Sequence, residues 1–240
     1  MTDFLMGNHY IETFIQKAGI PSFLGCLEHS QMIWRSILSA KKTRTELHVI
    51  WLDHANAYRS IPHRLIRMAL EFFNFPSKFG DILMSYFGSA FMKFTVMDYT
   101  TKWQALEVGI MMGCVISQLL FVLAMELILQ GTANTAKGVM TEEQLVLPPS
   151  QVFMDDIIIL VQTKGAANNL LRRYHSLFTW ARMRAKPKKS QSLSLVGGSV
   201  REIHFSIRDD MIPTVRDKPV KSLGRLYRGA ESSPGRTPNH

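Results

Sequence analysis

QVFMDDIIILV, residues 151–161, is a strongly apolar run broken in its middle by two acids, Asp155 and Asp156. β-Branched and aromatic residues on either side favour extended backbone, and a polar pair between them marks a tight turn. The segment therefore predicts strand, turn, strand. LHVIWL, residues 47–52, is also continuously apolar and stops abruptly at Asp53, the pattern of a buried strand with a polar residue at its tip. If these strands are neighbours, three carboxylates meet at one end of a sheet.

Outward from these strands, residues 11–40 carry apolar residues at helical spacing, broken by Pro21 and Gly25, which predicts two short helices and then a basic linker, KKTR. Leu65, Ile66, Ala69, Leu70 and Phe73 trace an amphipathic helix with Pro62 near its start, and a second helix is expected over 76–87. Residues flanking Asp98 predict a hairpin. Gly109 and Gly113 frame a loop that opens a long apolar helix. The stretch 108–129 contains Ser117, Gln118 and Glu126 and lacks a basic flank, so a buried core helix is expected rather than a membrane span. A polar linker over 141–150, a helix over 165–184, and short strands near 197–198, 206–211 and 220–223 follow. The tail 228–240 has a disordered composition. This order of elements is α+β.

At 240 residues, 46% hydrophobic and 20% charged, the chain can bury a sizeable core in one domain. Its formal charge of +9 favours a polyanionic partner, nucleic acid or an anionic membrane surface. Cys26 and Cys114 fit neither a disulfide framework nor a zinc cluster, and the N-terminus carries no secretory signal. An intracellular setting is expected, with nucleus and cytoplasm both open.

A carboxylate at the edge of a buried strand needs water, hydrogen bonds or a cation. Oxygen clusters suit Mg²⁺, and two such ions about 3.5–4 Å apart can stabilise both the attacking and the leaving oxygen of phosphoryl transfer. The residues alone also admit a plainer reading, in which Asp53 forms a turn or cap and Asp155 and Asp156 a solvated turn.

Read together, five segments resemble the reverse transcriptase motifs in order. WLDHANAYRSIPHRL (51–65) is similar to motif A, GIMMGCVISQLLF (109–121) to motif B, FMDD (153–156) to motif C, KPKKSQSL (186–193) to motif D and VKSLGRLY (220–227) to motif E. The ANAY and SIPH strings resemble the LINE-type, non-LTR retrotransposon branch. The resemblance covers about 25–227 and implies a polymerase right-hand palm, an antiparallel sheet with packed helices. It implies partial fingers in 1–45, the palm core in 46–227 and no thumb.

The implied activity is RNA-directed DNA synthesis with two Mg²⁺ ions, or Mn²⁺, on an RNA template, a DNA primer and deoxynucleoside triphosphates. It involves no membrane, and the remainder of a longer polyprotein is implied. Asp53 and Asp155 would bind the metals and Asp156 would complete the same metal site. Tyr58 would be the gate that excludes a 2′-hydroxyl, or else a core aromatic. Gly113 and Ser117 would form a loop against the template base, although Gly113 also reads as a helix-start glycine. Lys189 would bind or protonate the leaving pyrophosphate, or else face solvent. The basic and aromatic hairpin over 91–103 would track a nucleic-acid backbone or pack on the palm.

His54, Arg59, Met112 and Gln118 depart from the family pattern, and Arg59 is placed either to face solvent or to pair with Asp53 or Asp155 and displace a metal. A shortened or decayed copy with weak activity is therefore expected. The alternative is a catalytically inactive nucleic-acid-binding relic; an RNA-dependent RNA polymerase is a third reading, against which Tyr58 argues.

Overall fold

The computed structural model describes residues 7–8, 25–54, 57–111, 113–142, 144–222 and 225–227. The first helix expected from residue 11, Met112 and the tail from 228 lie outside them. In chain order, α1 (Gly25–Thr43) leads into β1 (Leu47–Leu52), one turn α2 (Ala57–Ser60), then α3 (His63–Phe72) and α4 (Ser77–Gly88). β2 (Phe91–Met92) pairs with β5 (Gln104–Ala105), and β3 (Thr95–Val96) with β4 (Tyr99–Thr100), nesting one hairpin in another. α5 (Ser117–Gln130) is followed by a small ladder of β6 (Val139–Met140) with β7 (Val146–Leu147).

β8 (Ser150–Phe153) and β9 (Asp156–Val161) form the expected hairpin, followed by α6 (Lys164–Trp180). β10 (Gln191–Val196) turns into β11 (Ser199–Arg201), β12 (Phe205–Ile207) into β13 (Asp210–Ile212), and β14 (Val220–Ser222) into β15 (Arg225–Tyr227). The main sheet is antiparallel throughout, in the order β11, β10, β1, β9, β8, with β1 in the middle.

Antiparallel strands with one wet face alternate apolar and polar residues, but β1 does not, because both its faces are covered. Ile50 and Leu52 join a core with Leu65 of α3, Phe121 of α5 and Tyr174 of α6, while Leu47, Val49 and Trp51 join Ile33 and Ile37 of α1. His48, the polar residue within the strand, is buried with Nδ1 at 2.9 Å from Ser194 Oγ and Nε2 at 2.7 Å from Glu46. α5 is enclosed on nearly all sides, Glu126 included, which accounts for its unbroken apolar sequence. No helix among the described residues is long and apolar enough to cross a membrane. Each fully buried Leu, Ile or Phe contributes ~1.5–3 kcal/mol, so the two cores hold the sheet ends firmly.

Three expectations need correction. Lys41, Lys42 and Thr43 are the last turn of α1 and not a linker; lysines are good helix formers and suit a helix C-terminus. Residues 141–150 are not a plain linker, since Val139 and Leu147 are buried and draw β6 and β7 together. α6 stops at Trp180 rather than 184: Arg182 turns left-handed at φ 56°, with Met183 N–H donating to Phe178 O at 2.8 Å to close the helix.

Candidate active site

Pairing of Leu52 with Ile157 places the next residue of each strand, Asp53 and Asp156, opposite one another at the sheet end. The β8–β9 hairpin closes on Phe153 and Asp156, so Met154 and Asp155 are its two-residue tip. Three carboxylates from adjacent strands therefore share one end of the sheet. Asp53 is half-buried, whereas Asp155 and Asp156 remain accessible to solvent. The Asp156 carboxyl is pushed up to about 6, first by lost hydration at the crowded sheet end and then by the charges of Asp155 and Asp53.

A bound cation would relieve that repulsion. Mg²⁺ takes one or two carboxylates and completes its shell with water and substrate phosphates. Among the described residues no three His, Cys, Asp or Glu side chains stand close enough to enclose an ion unaided. Carboxylates left open to solvent, as at Asp155 and Asp156, are of the kind that Mg²⁺ takes together with water and substrate phosphates.

The tip itself is constrained. Met154 has φ 58°, a conformation that costs a non-glycine residue ~1–2 kcal/mol and that tends to cluster at functional sites. His54 turns inward directly after Asp53, and its Nδ1 donates to the Asp155 carbonyl at 2.9 Å. The ring packs edge-on against Phe178, centroids 4.5 Å apart. Burial holds the imidazole below its ordinary value against the opposing pull of the Asp155 carbonyl and the two carboxylates, so it is neutral with the proton on Nδ1.

His54 thus ties the two acidic strand ends together, and its loss should loosen the tip. His54→Leu is expected to speed amide exchange over 153–156 by about fivefold, the equivalent of one hydrogen bond of ~1 kcal/mol, with His54→Asn restoring most of the protection. Equal exchange in all three proteins would remove this role.

Asp53 is pinned from the other side by the loop 186–190. Its N–H donates to Ser190 Oγ at 3.1 Å, its carbonyl accepts from Lys186 N–H at 2.8 Å, and Ser190 Oγ donates to Lys186 O at 2.9 Å. Lys189 sits within this loop with its side chain exposed.

Tyr58 is half-buried and stacks on Phe121 of α5 at 4.4 Å, the planes 10° apart. Burial and the charge of Asp155 push its phenol upward. The Tyr58 carbonyl accepts from Ile110 N–H, the Ile61 carbonyl accepts from Gly109 N–H, both at 2.8 Å, and His63 Nε2 donates to Gly109 O at 2.7 Å. Gly109 has φ 85°, and a Cβ there would lie 2.6 Å from Arg59 O, so glycine is required by both conformation and space.

Gly113, exposed at φ 89°, needs glycine only for its conformation, since a Cβ there would meet nothing within 4 Å. Ser117 is buried at the first turn of α5, so of the two proposed template contacts only Gly113 faces solvent. Arg59 is exposed and makes no ion pair with Asp53 or Asp155, which leaves the solvent-facing alternative. Sequence reasoning marked His54 only as a departure and did not see its tie to Asp155 or the Gly109 lock.

Residues 10–225 match the family model described as "Reverse transcriptase (RNA-dependent DNA polymerase)". The chain belongs to the reverse transcriptase family. The chain is 24% identical over 219 residues to the Retrovirus-related Pol polyprotein from type-1 retrotransposable element R2 of Nasonia vitripennis, covering 91% of the chain and 21% of that protein. It is 25% identical over 183 residues to the protein of the same name from Bradysia coprophila, covering 75% and 20%. The chain thus spans about a fifth of the length of the curated relatives it matches. Both are retrotransposon proteins, in agreement with the non-LTR character of the motif A segment.

Proposed function

We propose that this chain is the polymerase core of a retrotransposon reverse transcriptase, with residues 46–227 as the palm and residues 1–45 contributing to the fingers. The observation that carries this reading is the strand register that sets Asp53 opposite Asp156 beside the Asp155 tip. In the proposed reaction the primer 3′-oxygen attacks the α-phosphorus of a deoxynucleoside triphosphate, a phosphodiester forms and pyrophosphate leaves. Mg²⁺, when bound by Asp53 and Asp155 with Asp156 beside them, supplies charge neutralisation and a more acidic 3′-hydroxyl.

The chain's own groups do the positioning. His54 and Met154 fix the acidic tip, Ser190 and Lys186 fix Asp53, and Tyr58 on Phe121 forms the surface under the sugar. Gly113 would approach the template base, with Ser117 setting the helix start behind it. Lys189, exposed on the loop that pins Asp53, would meet the leaving pyrophosphate and supply its proton. Chemistry of this type depends mainly on such orientation and electrostatics.

The test has two parts. An RNA–DNA hybrid should bind with an affinity that falls steeply as salt rises, because the net charge of +9 acts through phosphate contacts and counterion release. Templated incorporation of deoxynucleotides with Mg²⁺ should then follow. Salt-sensitive binding without any incorporation would instead support the nucleic-acid-binding relic, and absence of binding at low salt would remove nucleic acid as partner.

A further inference from the structure

A groove of about 690 Å³ lies between the C-terminal end of α6, the loop that follows it and the β12–β13 hairpin. None of Asp53, Asp155 or Asp156 lines it. Phe178 and Ala185 do, and these are the residues that meet His54 on their other side, so one layer of side chains separates the groove from the acidic sheet end. Three arginines, Arg182, Arg184 and Arg208, face the groove against a single acid, Asp210, for a local charge of 3 − 1 = +2. All three are exposed, and among the described residues none is in an ion pair.

Two of these arginines occupy backbone positions that favour glycine. Arg182 has φ 56° just past the end of α6, and Arg208 has φ 55° in the β12–β13 turn. Two separate segments therefore turn left-handed where each delivers a guanidinium to one groove, Arg182 in the turn that closes α6 and Arg208 at the tip of the β12–β13 hairpin. Arg208 Nε also donates to His175 Nε2 at 2.7 Å, which orients its guanidinium, while burial and the Arg208 charge hold that imidazole below its ordinary value. A neutral His175 accepts the bond and adds no competing cation.

We propose that this groove binds the sugar–phosphate backbone of a single RNA strand outside the catalytic duplex. Guanidiniums match phosphate geometry and also stack on bases, and apolar Met183, Pro187 and Ile207 line the space between them. The inference rests on the reverse transcriptase reading only in naming the strand as RNA.

The experiment uses the full chain saturated with RNA–DNA hybrid, to which a fluorescent 12-nucleotide single-stranded RNA is added and followed by anisotropy. A triple variant, Arg182→Gly, Arg184→Ala and Arg208→Gly, removes the cations while relieving both strained positions. It should melt no lower than the parent, yet bind the oligonucleotide about tenfold or more weakly. The slope of log affinity against log salt should fall by about 2, as expected for three phosphate contacts on a single strand.

Unchanged affinity and slope would overturn the proposal. So would displacement of the oligonucleotide by millimolar inorganic phosphate at matched ionic strength, which would reduce the groove to a small-anion site. Should the chain fail to bind hybrid, the same comparison on the oligonucleotide alone still decides the groove, so its failure and that of the polymerase reading stay distinct.

Discussion

Asp155→Ala is expected to cut primer extension by about a thousandfold while leaving hybrid binding intact. A metal in phosphoryl transfer supplies several kcal/mol of stabilisation, and each ~1.36 kcal/mol is a factor of ten in rate. Asp155 is an exposed residue at a hairpin tip, so its side chain holds no core together and the variant should fold normally. A second readout needs no activity. Removing this negative neighbour should lower the Asp156 carboxyl part of the way from about 6, since the lost hydration that is its first cause and the charge of Asp53 both remain.

The sign for stability follows. A carboxyl whose folded value is raised costs the folded state when ionised, so the parent carries that cost above about pH 6 and loses it as pH falls and Asp156 protonates. The variant should therefore be no less stable than the parent at pH 7, and the two should converge in acid. Extension that survives in Asp155→Ala would show that Asp155 is not a metal ligand. An Asp156 titration left wholly unmoved by the substitution would show that the two carboxylates do not sense one another across the hairpin tip.

What could be read in the sequence is what depends on neighbours in the chain. β1 and the β8–β9 hairpin were legible because a run buried on both faces leaves an unbroken apolar string, and each string stops at an acid. α3 was legible from its three- and four-residue spacing. The β6–β7 ladder was not, since each strand has two residues and is drawn together by distant burial. The role of His54 was invisible for a similar reason. Its partners are a carbonyl 101 residues away and the ring of Phe178, and nothing local distinguishes a tethering histidine from a disruptive one. The groove beside Phe178 assembles from α6, the loop after it and the β12–β13 hairpin, segments that are separate in the chain, so no local pattern marks it.

Tyr58→Val is expected to weaken discrimination against ribonucleotides by about 10–200-fold, the range that one steric contact in a pocket can supply. The tyrosine lies five residues after Asp53 within the single turn α2, and the charge of Asp155 reaches its phenol, so the ring stands close to the acidic sheet end. Its stacking on Phe121, nearly parallel at 4.4 Å, and the hydrogen bond from Ile110 to its carbonyl fix the ring's position from two sides. A ring held that firmly can act as a steric limit, because it cannot swing aside to admit a 2′-hydroxyl without losing the stack.

Valine shortens the side chain and opens the space, whereas Tyr58→Phe keeps the ring and should discriminate as the parent does. That comparison separates the ring from the hydroxyl. The measurement is kcat/KM for matched deoxy- and ribonucleoside triphosphates in the three proteins, with thermal unfolding as the control for lost packing. Equal discrimination in Tyr58→Val and the parent, with only a lower melting temperature, would leave Tyr58 as a packing partner of Phe121 and move the sugar filter elsewhere.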